Sequence, residues 1–255
     1  IYKLPLPISI FFNLISIGSD KKNINIEKEP GERLCIALES MGTTFIKLGQ
    51  FLATRPDILG EDLAKNLEKL QDKVPAFDTY EAKKIIKKEV GETQFNNIIE
   101  LSDPIAAASI AQVHIAKIKE ESIHKEVAIK ILRPDIEKLF NEELDALMLF
   151  AYIVENTLTK AKRLRLVEVV YLLREITNVE MDLRFEAAAA NELYENTKND
   201  NGFNVPKIYW NYTTKKILTL DKVDGISIRE HEKLGTLGID LKILAENLIQ
   251  HFLKQ

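Results

Sequence analysis

The feature that most restricts this chain is a change of hydrophobic period near residue 95. Before it, apolar residues recur every three or four positions over 34–55, 60–72 and 78–90, which predicts helices. Asp78 stands as N-cap of the third, with Glu81 in the capping-box position and Gly91 as terminator. Lys83, Lys84, Lys87 and Lys88 give that helix a face for solvent or for anionic lipid. Residues 98–109, 110–119 and 126–133 instead alternate and carry β-branched side chains, as strands do. A helix follows Pro134 to about Leu158, and another covers 166–196. Residues 205–212 and 216–223 read as a hairpin, and 241–254 as a last helix. A helical front, a small sheet and a long helix inside the sheet's connection make an α+β order.

With 255 residues and 45% hydrophobic content, the chain can bury one large core or two small ones. A net charge of −4 supplies no basic field, which argues against a nucleic-acid partner. The one cysteine, Cys35, rules out an internal disulfide framework, fits a reducing compartment, and reads as a plain thiol. The apolar run at 4–18 is interrupted by Pro5, Pro7 and Asn13 and falls short of the roughly 20 residues of a spanning helix. It could lie in a membrane interface or cap a core. Residues 18–31 are polar and turn-rich, a linker. Because the chain opens on Ile1 and stops at HFLKQ in a helical pattern, we expect a piece of a longer protein.

Three stretches set polar groups where apolar ones are expected. Leu34, Leu38, Met41, Phe45, Leu48 and Leu52 draw one helical stripe. Lys47 and Gln50 fall on the opposite face with Thr43 and Thr54, yet Ile46 and Phe51 flank them with hydrocarbon. On the 166–196 helix, Leu172, Ile176, Val179 and Leu183 form a stripe whose next position is Glu186. Either the helix has turned outward there, or the carboxylate needs a cationic partner. In VAIKIL, Val127, Ile129 and Ile131 point one way while Ala128, Lys130 and Leu132 point the other. A strand lysine with a glutamate on the following long helix is the pair protein kinases use to hold ATP phosphates.

A kinase also covers the phosphates with a loop between its first two strands. Here that stretch is IAAASIAQVH, from Ile105 to His114, without glycine. Alanine resists positive φ, so the loop must be tighter than a glycine loop. Its N–H groups could still face a phosphate, with Ser109 adding a hydroxyl. Close packing is the other reading of an alanine run.

Lys47-Leu48-Gly49-Gln50, the alanine loop at 106–109, Lys130 in VAIK, and Glu180-Met181-Asp182 ahead of Glu186 together resemble the UbiB family, atypical protein-kinase-like proteins tied to ubiquinone biosynthesis. LQDKVPAF at 70–77, SIAQVH at 109–114 and RPDIEKL at 133–139 look like its bacterial branch. The resemblance implies a protein-kinase-like small lobe, an antiparallel sheet plus a long helix, behind a helical extension, with the large lobe mostly missing. It divides the chain into an arm and linker (1–31), the extension (32–94), the small lobe (95–224) and the start of the large lobe (225–255). It implies ATP binding by Ile105, Ala106, Ala107, Ala108, Ser109, Ile110, Ala111, Gln112 and Val113, by Lys130 and Glu186, and at the hinge by backbone groups of Asp221 and Val223. Edge-strand packing is an equal account of the last two. It further implies that Lys47 and Gln50 meet Glu180 and Asp182, that Gly49 allows close backbone approach, and that protein phosphorylation is thereby suppressed.

No H-x-D catalytic loop and no D-F-G occurs, and no His/Cys set has metal-ligand spacing. The resemblance places the catalytic residues and those for Mg²⁺ after Gln255, so the chain alone is expected to be inactive. The implied setting is the bacterial cytoplasm at the inner membrane's surface, with membrane lipids, quinone intermediates or quinone-biosynthesis proteins as partners. A catalytically empty module for such lipids or proteins is the alternative. A conventional kinase is a third, against which the helical front and the alanine loop argue.

Overall fold

The computed structural model describes residues 29–70, 74–120, 123–200, 202–228 and 230–253; the apolar arm at 4–18 and most of the linker lie outside them. Helices α1 (Pro30–Met41), α2 (Thr43–Ala53), α3 (Pro56–Leu59) and α4 (Glu61–Leu67) come first. Helices α5 (Thr79–Val90) and α6 (Glu92–Asn96) precede strands β1 (Ile98–Ala107), β2 (Ala111–Glu120) and β3 (Ile123–Leu132). Then follow α7 (Ile136–Thr157), α8 (Leu166–Glu180), α9 (Leu183–Thr197), β4 (Ile217–Asp221), α10 (His231–Thr236) and α11 (Leu241–Leu253). Two compact units result. Among the described residues, one takes those up to 76 with 107–111 and 133–181, and the other takes those of 77–106, 112–132 and from 182.

In the first unit the predicted helix over 34–55 is two helices. Gly42, at φ 102°, breaks it in a conformation that disfavours a Cβ, and its N–H bonds back to Glu39 O. The stripe survives the break: Leu34, Leu38, Leu67 and Leu70 form a buried cluster against which Phe45 and Leu52 pack. Gly49 sits where a Cβ would come within 2.3 Å of Leu70 Cδ1 and 2.8 Å of Leu38 Cδ1, so close approach is what this glycine provides.

Helices α7 and α8 pack as a hairpin, α7 burying Phe140, Leu144 and Ala151. The predicted 166–196 helix is also two, ending at Glu180 and restarting at Leu183. Asp182 causes the restart, since its carboxylate accepts the Arg184 N–H at 3.1 Å as an N-cap. The expected stripe is corrected as well. Leu172, Ile176 and Val179 are 44, 39 and 55% exposed, while Val169, Val170, Leu173 and Thr177 are buried.

The second unit is the sheet and its helices, in the order β1-β2-β3-β4. Neighbours joined by loops this short can only run antiparallel, and β4 pairs antiparallel with β3, Lys130 opposite Leu218. Alternation holds on β3. Val127, Ile129 and Ile131 are fully buried with Ala82 and Ile86 of α5, Ile118 of β2 and Ile217 of β4. Asp78 caps α5 as expected, accepting Tyr80 N–H at 2.6 Å; Glu81 instead takes Lys84 at 2.7 Å.

The hairpin expected at 205–223 is corrected. Its first arm keeps one bridge, Ile208 to Leu220, then turns into a 3-10 helix at Trp210–Tyr212. Threonine hydroxyls take ladder positions: Thr219 Oγ1 donates to Tyr212 O at 2.9 Å, and Thr213 Oγ1 accepts Thr219 N–H at 3.2 Å.

Candidate functional site

Strand alternation sends Lys130 to the sheet face opposite the α5 core. There its Nζ donates to Glu186 Oε2 at 2.7 Å, from the first turn of α9. The pairing matches the sequence expectation, but the surroundings do not. The side chains are 30 and 50% exposed, because α9 turns Leu183 and Ala187, not Glu186, into the packed side. A pair this open contributes about 0–1 kcal/mol to stability, so its value is a fixed ammonium that a third, anionic group can reach.

The alanine stretch divides between strands and a tight turn. Ile105 and Ala106 are exposed on β1, Ala107 and Ala108 are half-buried, and Val113 is half-buried on β2. Ala108 N–H closes the turn on Ala111 O at 2.8 Å. Ser109, Ile110, Ala111 and Gln112 are buried, and the Ser109 hydroxyl is covered without a hydrogen-bond partner among the described residues. The hydroxyl expected to face a phosphate is therefore turned inward. The Ser109 and Ile110 N–H groups, by contrast, meet no acceptor among the described residues. Successive N–H groups at a turn are donors to an anion where one can reach them; Ser109 has no solvent exposure and Ile110 is 8% exposed.

Gln112 carries a structural duty that the sequence reading missed. Its Oε1 accepts Phe77 N–H at 2.9 Å, and its Nε2 donates to Phe77 O at 3.1 Å and to His114 Nε2 at 2.8 Å. His114 Nδ1–H then donates to Ser102 O at 2.8 Å. This fixes a neutral imidazole, and burial lowers its pKa. Two polar residues spaced two apart on the inner face of one strand were the available signal.

At the end of β4, Asp221 N–H bonds to Lys207 O at 2.9 Å, and the Asp221 carboxylate accepts the Tyr209 hydroxyl at 2.6 Å. Burial, reinforced by that carboxylate, pushes the Tyr209 phenol far above its ordinary pKa. Val223 lies beyond the last strand residue and is exposed.

Of the second motif set, Lys47, Gly49, Gln50 and Glu180 belong to the first unit and Asp182 to the second. Lys47 on α2 is 16% exposed, and its Nζ lies 2.8 Å from Oε2 of Glu180, the last residue of α8. This is charge contact off the line of a hydrogen bond. Thr43, Thr44 and Ile46 beside it are buried, while Thr54 at the end of the strip is exposed. Gln50 is half-buried. Asp182 is engaged elsewhere: Arg184 Nε and a terminal nitrogen bind its two oxygens at 2.9 and 2.6 Å, holding its carboxyl below the usual range.

Among the described residues no three His, Cys, Asp or Glu side chains are placed to hold a metal ion, and no helix is long and apolar enough to cross a membrane.

Residues 69–255 match the ABC1 atypical kinase-like domain. The chain belongs to that family. It is 37% identical over 258 residues to the "Probable protein kinase UbiB" of Marinobacter nauticus, covering 99% of this chain and 45% of that protein. The UbiB proteins of Azotobacter vinelandii and Tolumonas auensis are 37 and 39% identical, each over 90% of this chain and 42% of theirs. The chain thus spans a little under half the length of these curated relatives. The resemblance read from the four motifs is borne out, as is a kinase-like small lobe built on an antiparallel sheet.

Proposed function

We propose that this chain is the nucleotide-holding part of an ATP-binding atypical kinase or ATPase that supports ubiquinone biosynthesis. The observation that carries the reading is the Lys130–Glu186 contact of 2.7 Å on an open sheet face. The glutamate fixes the ammonium, and the fixed ammonium meets the α- and β-phosphates. Within the first unit, the Ser109 and Ile110 N–H groups, which meet no acceptor among the described residues, offer an anion backbone donors rather than the Ser109 hydroxyl. Residues 105–113 shape the lid, and backbone groups at Asp221 and Val223 read adenine.

Mg²⁺ would need carboxylate and amide ligands that are not assigned among these residues, so no phosphoryl-transfer step is assigned to them. Lys47, Gly49 and Gln50 with Glu180 restrain access of a protein substrate; the Lys47–Glu180 contact supports this role. Attachment at the cytoplasmic surface of the bacterial inner membrane, near quinone intermediates and their biosynthetic proteins, completes the reading.

Titration of the chain with a fluorescent ATP analogue and with ATP tests it. Lys130→Ala is expected to weaken binding about tenfold or more, the worth of one charge-assisted contact to phosphate. Glu186→Gln is expected to weaken it less. ATP affinity that ignores Lys130 would overturn the proposal in favour of a non-catalytic module for lipids or partner proteins.

A further inference from the structure

The turn between β1 and β2 is held by one side chain. Arg133, the residue after β3, donates from Nε and from a terminal nitrogen to Ala108 O at 3.0 and 2.9 Å. The same guanidinium donates to Val74 O at 3.1 Å, and the Arg133 backbone N–H donates to Ile110 O at 2.9 Å. Two carbonyls of the turn are thus gripped, from one residue. We infer that Arg133 is a positioning residue that sets the alanine turn in an anion-receptive form.

A trans peptide is planar, so its C=O and the N–H of the next residue point in opposite directions. Drawing Ala108 O to the guanidinium turns the Ser109 N–H away from it. The arginine also occupies the carbonyl that the Ala111 N–H of a two-residue hairpin would ordinarily use, and Ala108 N–H to Ala111 O is the turn bond that remains. A glycine loop reaches such a form by conformational freedom. Alanines lack that freedom, and here the fork of an arginine imposes the form, with two parallel donors on one oxygen that lysine cannot supply. The role rests on the nucleotide reading above, whereas the grip itself does not.

The test uses the 255-residue chain with Arg133→Met and Arg133→Lys. Without nucleotide, amide hydrogen exchange over 106–112 is expected to quicken about tenfold or more in Arg133→Met, while α5 and β4 keep their protection. ATP affinity is expected to fall about tenfold, and affinity for adenosine, which has no phosphate, to stay within about twofold. Arg133→Lys is expected to lie between and serves should the methionine form not fold. Unchanged exchange over 106–112 overturns the inference. So does an equal loss of ATP and adenosine affinity, which marks damage to the fold as a whole. If wild-type chain binds no ATP, the nucleotide reading fails, and the exchange result alone decides whether Arg133 holds the turn.

Discussion

Replacing Gln112 by leucine keeps the side chain's bulk and removes its amide. Three hydrogen bonds go with it, two to the Phe77 backbone and one to His114 Nε2, at a position with no solvent exposure. Net, a neutral hydrogen bond contributes about 1 kcal/mol, and a buried partner left without water or substitute costs about 1–3 kcal/mol. Against this, leucine adds roughly 1–2 kcal/mol of apolar burial, discounted because it lands among polar partners. The balance is a loss of about 2–4 kcal/mol. Trp210, the only tryptophan, lies in the same unit and is 49% exposed, so its fluorescence during urea unfolding reports on the sheet directly. The expected result is a lower midpoint with an unchanged denaturant slope. A midpoint equal to wild type would refute the reasoning, since it would mean that the Gln112 amide contributes nothing net to the fold.

The neighbouring imidazole gives a pH dependence. Burial depresses the His114 pKa in the folded state, so the unfolded chain binds more protons between the two values. Stability is therefore full above the unfolded value of about 6.5 and falls as pH drops through it, at up to about 1.4 kcal/mol per pH unit. Urea midpoints at stepped pH should show this, and His114→Gln should remove that part of the slope. Lys130→Met should change stability by less than about 1 kcal/mol, because the ion pair is half-exposed, which separates its effect on folding from its effect on nucleotide. Asp78→Ala removes the cap on the Tyr80 N–H and should lower the thermal midpoint by the equivalent of about 1 kcal/mol.

Period-two patterning exposed β3 and the direction of Lys130, because a strand buried on one face permits only one register for Val127, Ile129 and Ile131. Helical patterning was less decisive on α8. That helix carries apolar residues on two faces, and periodicity alone cannot choose between Leu172, Ile176 and Val179 and the buried set of Val169, Val170 and Leu173. The restart at Asp182 was legible as an N-cap residue, but the continuing apolar spacing masked it. Glu186 found its cation without the burial expected of it, since facing the sheet's lysine does not require leaving water. The first arm of the 205–223 hairpin failed for a local reason: threonine side chains satisfy backbone groups there that a strand would have paired.

Helix α11 buries one side chain, His251, while Ile243, Leu248, Ile249, Phe252 and Leu253 are 52–76% exposed. So much hydrocarbon on one thirteen-residue helix makes these 255 residues a poor colloid by themselves. Light scattering should rise with protein concentration, and more steeply in ammonium sulfate, which strengthens apolar association. Substituting Phe252 and Leu253 with glutamate, where no packing is lost, should restore a dispersion of single molecules.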